Sequence, residues 1–419
     1  MRAFRLARIC ILFAALFLAA CDDLSVRVEG PPPAPVGEER AVAPGGHESL
    51  SPGHLERAVE RVAIPTCRRP MGAAVDRRGR IWLACALLGE LQLIDPDSMS
   101  IQDTYGPVFE HLFYVDLAAD DRYVVTAGMA GQFLHVFDAT TGRRRDAIRV
   151  GRSISDIERV PGTNRYLVAS AQDQTVTVVD VGTRGVDRTI EFPGHIGYIA
   201  VGKTGEIAAA TGGLWVRDER GTRMTTGKVY LFNPNAGDEG RVAQSLTVDR
   251  TSREPVFVKG DSLLLAPNFG EGTVSVFDVA GATLARKLDV GEGPERLVVD
   301  PDGEIVYCLN TRSSSISVIR VSPPTVVRDI DLPSPPEFAA VTPDNKMLVV
   351  TLPARTGAPG ETEDTADTAG NRIALIDIAT MAVVDVIPAG DDPAALTASP
   401  DGRRFYVSNF LGNSLSIFH

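Results

Sequence analysis

Cysteine is scarce and scattered. Its five residues are Cys10, Cys21, Cys67, Cys85 and Cys308. No Cys-x-x-Cys-His occurs, which excludes a covalently attached c-type haem. The adjacent Cys pair that quinoprotein dehydrogenases use is also missing. No Gly-x-Ser-x-Gly elbow is present to expose a nucleophilic serine. Aromatic residues make up 6% of the chain, with Trp82 and Trp215 the only tryptophans. There is no cationic excess: 42 Lys and Arg stand against 54 Asp and Glu, a net charge of −12. Phosphate binding needs a basic face, so nucleic acid is not an expected partner. The one long apolar run, Ile9 to Ala20, is too short for a comfortable transmembrane helix.

What is there begins with that run. Arg2, Arg5 and Arg8 precede it, and Leu18-Ala19-Ala20-Cys21 ends it. A basic start, an apolar stretch and small residues describe an export signal over 1–20. The ending resembles the lipobox of bacterial lipoproteins. That resemblance implies that Cys21 takes a diacylglycerol and becomes the first mature residue. A plain signal peptide that happens to contain a Cys is the alternative. Residues 21–57 then read as a tether, with Pro31-Pro32-Pro33, Pro44, Gly45-Gly46 and Pro52-Gly53. Such a stretch has too little apolar area to offset its ordering entropy, and its prolines keep it extended. The expected location is the periplasmic side of a bacterial membrane or the cell surface, with the membrane reached through the N-terminal lipid.

From residue 58 to 419 the chain repeats. A short alternating strand, often ending in Asp, recurs at Leu91–Asp95, Phe133–Asp138, Thr175–Asp180, Lys228–Asn233, Thr273–Asp278, Ser315–Arg320, Arg372–Asp377 and Ser414–His419. Five of the seven intervals are 42 to 45 residues, and the two longer ones carry insertions at Thr211–Gly227 and Pro353–Asn371. A period in the forties with four short strands per unit is the signature of a propeller blade. In the unit from Pro294, strand a is expected at Arg296–Asp300, b at Ile305–Leu309, c at Ser315–Arg320 and d at Val326–Leu332. The Pro301-Asp302-Gly303 turn lies between a and b. The fold class is therefore all-β: a β-propeller of eight four-stranded blades, with seven as the alternative should one repeat be irregular.

The repeat resembles the YVTN family. Pro393 to His419 fits best, with Pro400-Asp401-Gly402, Tyr406-Val407-Ser408-Asn409 and Gly412-Asn413. WD40 fits less well, because no Trp-Asp dipeptide occurs. The last repeat stops at strand c. Ala58–Pro70 matches Val383–Pro393, with prolines at the same spacing. Val59–Ile64 is therefore expected to close blade eight from the other end of the chain.

The d→a and b→c turns of a propeller share one face, around the channel mouth, where ligand groups collect. The rim candidates there are Arg68, Arg69, Glu110, His111, Arg152, His195, Glu254, Glu295, Glu337, Asp391 and Asp392. Arg68-Arg69 and Asp391-Asp392 hold equivalent places in neighbouring repeats, so an ion-paired seam is expected. The alternative is that the two arginines bind an anionic ligand. His111 and His195 are weak candidates for a metal, since neither has a carboxylate at ligand spacing apart from Glu110. No metal and no cofactor is expected. The insertions, the second bearing Glu361, Glu363, Asp364 and Asp367, extend b→c turns on the same face, as tolerated loops or as a lid or docking surface. Cys67 and Cys85 are expected to form a disulfide in an oxidising compartment, and Cys308 to be a buried, inert thiol. The functional expectation is a non-enzymatic binding or scaffold lipoprotein that presents the d→a/b→c face to a protein or small ligand. The alternative is a propeller enzyme or cofactor-binding protein, lactonase-like or of the haem d1 or quinone type.

Overall fold

The structure is a computed structural model. It describes residues 60–418, apart from 109–110, 130, 219–220, 237–243, 249–251 and 355–370. Val59–His419 form one compact unit. The signal segment, Cys21 and the tether lie outside the described residues, as do Glu110 and the acidic part of the second insertion.

The body is an eight-bladed β-propeller. Each blade is a four-stranded antiparallel sheet, with strands a to d running from the channel outward. Strand a is Pro70–Val75 in blade one, Leu112–Leu117 in two, Ile154–Arg159 in three and His195–Val201 in four. In blades five to eight it is Val256–Val258, Pro294–Val299, Ala339–Val341 and Pro393–Ala398. Strand c is buried nearly throughout, as in Thr175–Asp180 and Ser315–Arg320. That is why its sequence is the clearest mark of the repeat. The d strands are largely exposed, as in Thr283–Asp289, where only Leu288 is buried.

The terminal Asp of strand c has a local task. Asp95, Asp138, Asp180 and Asp377 accept hydrogen bonds from backbone N–H groups two or three residues on, at 2.7–3.3 Å. These side chains close the c→d turn in place of backbone. The a→b turn uses Gly303, at φ 74°, where a side chain would strain the left-handed backbone. At the end of strand b, Asn268, Asn310 and Asn409 are fully buried. Each ties its own strand c through two hydroxyls, Asn409 reaching Ser414 and Ser416 at 2.9 Å. Cys85 ends strand b of blade one, the position these asparagines hold, and is joined to Cys67 by a disulfide.

Apolar clusters lie between neighbouring blades rather than within one. Leu134, Val136, Tyr166 and Val168 join blades two and three, and Cys308 is buried between blades five and six. A blade cannot bury both of its faces alone, so the ring is the smallest complete core. Closure comes from Glu60–Pro65, which pairs antiparallel with Ser414–Phe418 as strand d of blade eight. Ile64, 4% exposed, sits in the seam core with Ile81, Leu83, Tyr406, Leu415 and Ile417.

The first insertion is not an irregular loop. Strands Ala208–Asp218 and Gly221–Phe232 continue blade four as a long hairpin, paired from Ala208↔Phe232 to Asp218↔Gly221.

Candidate functional site

The rim residues do not form one site. Arg152 is committed within its own blade: its Nε lies 2.6 Å from Asp173 Oδ1, and its backbone N donates to the other carboxylate oxygen. His111 is exposed, with its Nδ1–H donating to the Ala86 carbonyl at 2.7 Å. His195 is partly buried, and that burial lowers its pKa, favouring neutral imidazole. Among the described residues no group of three or more His, Cys, Asp or Glu is placed to hold a metal ion.

The residues of the expected charge seam have the following contacts. Arg69 meets blade eight through its backbone N, which donates to Asn413 Oδ1 at 2.9 Å. Its guanidinium lies over the Phe410 ring, 5.5 Å from the centroid. Asp391 accepts from Asn371 Nδ2 at 2.9 Å. Arg69, Asp392 and Ser153 each take the left-handed turn just before strand a, with φ of 59°, 57° and 60°. The Asp392 backbone N donates to Asn371 Oδ1 at 3.0 Å. Arg68, Arg69, Leu87, Phe410, Leu411 and Asn413 line a shallow cavity of about 340 Å³ on the mouth face.

The groups that do converge lie deeper, on the a strands. In most blades strand a carries a β-bulge near its start, for example between Leu112 and Tyr114, Ile154 and Asp156, Ile196 and Tyr198, and Pro294 and Arg296. A bulge re-aims the side chains beside it, here toward the channel axis. Asp156 Oδ2 accepts from Ile199 N of blade four at 2.8 Å. Tyr114 donates its phenol hydrogen to the Ser155 carbonyl at 2.6 Å. Glu254 of blade five pairs with Arg296 of blade six at 2.9 Å. Arg296 also lies 4.1 Å from the Phe338 ring centroid of blade seven. Arg253 reaches the Tyr198 hydroxyl at 3.4 Å and the Phe269 ring at 4.5 Å.

Electrostatics show that these groups share one volume. Enclosure by the ring, then the Glu254 charge, raises the Asp156 carboxyl from 3.8 to about 7, against hydrogen bonds from Ile199 and Ile157. Glu158 is pushed well above its usual value by the same enclosure and by Asp156, Glu254 and Asp116. Enclosure also raises the phenols of Tyr114 and Tyr198. For Arg296, enclosure works against the cation, but Glu254 and Glu295 outweigh it and hold its pKa above the ordinary value. Charges on blades three, five and six can influence one another in this way only across the channel. Asp116 is paired with Arg159 at 3.0 Å and also accepts from the Tyr166 hydroxyl.

The opposite wall is small. Strand a of blade one reads Pro-Met-Gly-Ala-Ala-Val and that of blade eight Pro-Ala-Ala-Leu-Thr-Ala. A Cβ on Gly72 would come within 2.4 Å of the Phe113 carbonyl, so only glycine lets strands a of blades one and two approach this closely. The small side chains leave a cavity of about 440 Å³ at the a→b end of the channel. Ala73, Ala74, Leu117, Ala118, Arg159 and Thr397 are among its lining. That volume falls in the range of small-molecule sites.

Of the rim candidates, Glu254 and Glu295 belong to this channel, and Glu337 lies close enough to influence Arg296. Sequence reasoning passed over Tyr114, Asp156, Glu158, Tyr198 and Arg296. Their signal was polar residues at the inward positions of strand a, where blades one and eight carry Ala. No family model and no curated protein matches the chain. Solved structures do match. Hydrazine synthase from Kuenenia stuttgartiensis is 14% identical with a TM-score of 0.55, over 87% of this chain and 98% of that one. The dihydro-heme d1 dehydrogenase NirN, solved in complex with DHE, is 14% identical with a TM-score of 0.62, over 84% and 73%. At such identity the likeness is one of fold.

Proposed function

We propose that this protein is a lipid-anchored binding protein on the outer side of a bacterial membrane, whose propeller takes a small polar ligand into its central channel. The observation that carries this reading is convergence: Tyr114, Asp156, Glu158, Tyr198, Glu254 and Arg296, from five blades and all half-buried, lie close enough along the channel for their charges to act on one another. Desolvating that many ionisable groups costs stability. A ligand that satisfies them recovers it. Anchoring is supported by the sequence alone, through Arg2, Arg5, Arg8, the apolar run and Leu18-Ala19-Ala20-Cys21. The repeat pattern supports kinship with the YVTN propellers.

One observation favours a second reading, that of an enzyme. A general acid–base works best with a pKa near the working pH. Asp156 has one, beside Tyr114. The similar structures with known activity are enzymes, which agrees with this reading without naming a reaction.

The test is a thermal-shift screen of the purified protein against small amines, sugars, amino acids and carboxylates. A ligand at a hundred times its Kd stabilises by about 2.7 kcal/mol. A stabilising ligand should lose its effect with Asp156→Asn/Tyr198→Phe and keep it with Arg68→Ala/Arg69→Ala. The opposite pattern would move the site to the mouth rim and overturn the channel reading. For the anchor, Cys21→Ser should shift the protein from membrane to soluble fractions, since each buried methylene of an acyl chain contributes about 0.8 kcal/mol.

A further inference from the structure

We infer that the channel ligand is an aliphatic organic cation, a primary amine or polyamine, whose N–H groups are held by Asp156, Glu158 and Glu295 and whose hydrocarbon part lies against the Ala wall of blades one and eight. This rests on the channel reading above and narrows it.

Three observations carry it. The first is charge imbalance. Asp116 is answered by Arg159, and Glu254 by Arg296. Asp156 and Glu158 face these same groups, with Tyr114 and Tyr198 beside them. The protein supplies Asp156 with backbone N–H donors only. Glu337 adds negative charge near Arg296, and Arg253 sits at the Tyr198 hydroxyl. The enclosed acids therefore hold protons where a ligand cation would otherwise stand.

The second is Glu295. It is 8% exposed, and its Oε1 has no hydrogen-bond partner among the described residues. It is the extra residue of the bulge between Pro294 and Arg296. Its charge is felt by Tyr198, two blades away. A buried carboxylate oxygen without a donor costs free energy that an incoming N–H recovers.

The third is the shape and chemistry of the floor. At the a→b end of the channel, the cavity of about 440 Å³ sets Ala73, Ala74 and Ala398 beside Asp116, Asp121 and Arg159. Methylenes gain about 0.8 kcal/mol each on such burial. A bare metal ion would use none of this wall, and no cluster suited to one is found among the described residues.

Binding a cation to acids that hold protons must release protons. Affinity should rise with pH up to the point where Asp156 is ionised without ligand, by up to about tenfold per unit for one proton released.

The experiment is calorimetric titration of the full chain in detergent with putrescine, spermidine and hexamethonium, whose quaternary nitrogens carry no N–H. Expected are one amine per chain, at least fivefold tighter binding at pH 8 than at pH 6, and binding of hexamethonium at least tenfold weaker. Glu295→Gln, close in shape, should weaken spermidine at least tenfold while melting near wild type. Asp156→Asn/Glu158→Gln should weaken binding at least tenfold at pH 8 and flatten the pH dependence of what remains. Amine binding unchanged in all three substitutions, or no amine binding at 1 mM and pH 8 (about the weakest useful affinity), overturns the proposal. If a neutral or anionic compound from the screen then binds and is lost with Tyr198→Phe, the amine class falls and the channel reading stands. If no compound depends on the channel residues, both fall together.

Discussion

Replacing Ile64 by Ala tests how the ring is closed. Ile64 is 4% exposed in the seam core, on a strand whose only backbone partner is Ser414–Phe418. The change removes three carbons, worth about 2.4 kcal/mol in transfer, and leaves a cavity that an edge strand can only partly collapse. The expected cost is about 3 kcal/mol. Val59–His419 folds as one unit. At roughly 2 cal/mol/K per residue its unfolding entropy is about 0.8 kcal/mol/K, so the melting temperature should fall by about 4 °C. The disulfide fastens the same seam. Cys67 and Cys85 are 18 residues apart, which gives about 3 kcal/mol by chain entropy. Reduction should therefore lower the melting point by a similar amount. Combined with Ile64→Ala it should deviate from additivity, because both act on one strand. The assay is scanning calorimetry of oxidised and reduced protein, with hydrogen exchange of Glu60–Pro65 read alongside. A variant that melts within 1 °C of wild type, with unchanged exchange in that strand, would show that the strand does not hold the ring. So would a well-folded product lacking residues 1–66. Loss of 22–52 alone should leave melting unchanged.

Other consequences follow from single residues. Because the Asp156 pKa is raised in the fold, the folded form binds more protons than the unfolded one between pH about 4 and about 7. Stability is lost as pH rises through that window, and Asp156→Asn should gain in melting temperature over wild type as pH goes from 5 to 8; a constant difference would refute the assignment. Asn409→Ala removes the donor to the buried Ser416 and the half-buried Ser414 and should cost about 2–3 kcal/mol in denaturant titration, where a change below about 0.5 would show the network to be idle. Cys308 is fully buried, and that burial pushes its thiol pKa up, so iodoacetamide at pH 8 should label it only after denaturation. Labelling of the native protein within minutes would contradict its place in the core.

Much of the fold was legible in the sequence. The alternation of strand c, its closing Asp and the Pro-Asp-Gly turns are local features, and each has a local physical cause: burial on both faces, an Asx-closed turn, a left-handed glycine. The matching of Ala58–Pro70 to Val383–Pro393 carried the closure as well, because a missing strand in a repeat must be supplied from elsewhere. Boundaries moved by a residue or two, as for strand a of blade six, Pro294–Val299 rather than Arg296–Asp300. The long hairpin of blade four was read only as an extended turn.

The site was another matter. Sequence position placed Arg68, Arg69, Asp391 and Asp392 at equivalent turns, but could not supply the contacts of Arg69 with Asn413 and of Asp391 with Asn371. Turn residues drew attention because turns lie at a mouth. Asp156 and Glu158 sit three and five residues past Ser153, within the strand Ile154–Arg159. By itself the sequence determined the repeat, the strand order and the supply of the last strand, since these depend on neighbours within about forty residues or on the likeness of two segments. Only the tertiary structure decided that Asp156, Glu158, Glu254, Glu295 and Arg296 meet. A charge on one blade acts on another through the dielectric of the closed ring, and that distance is set by the number and tilt of blades, which no single repeat encodes.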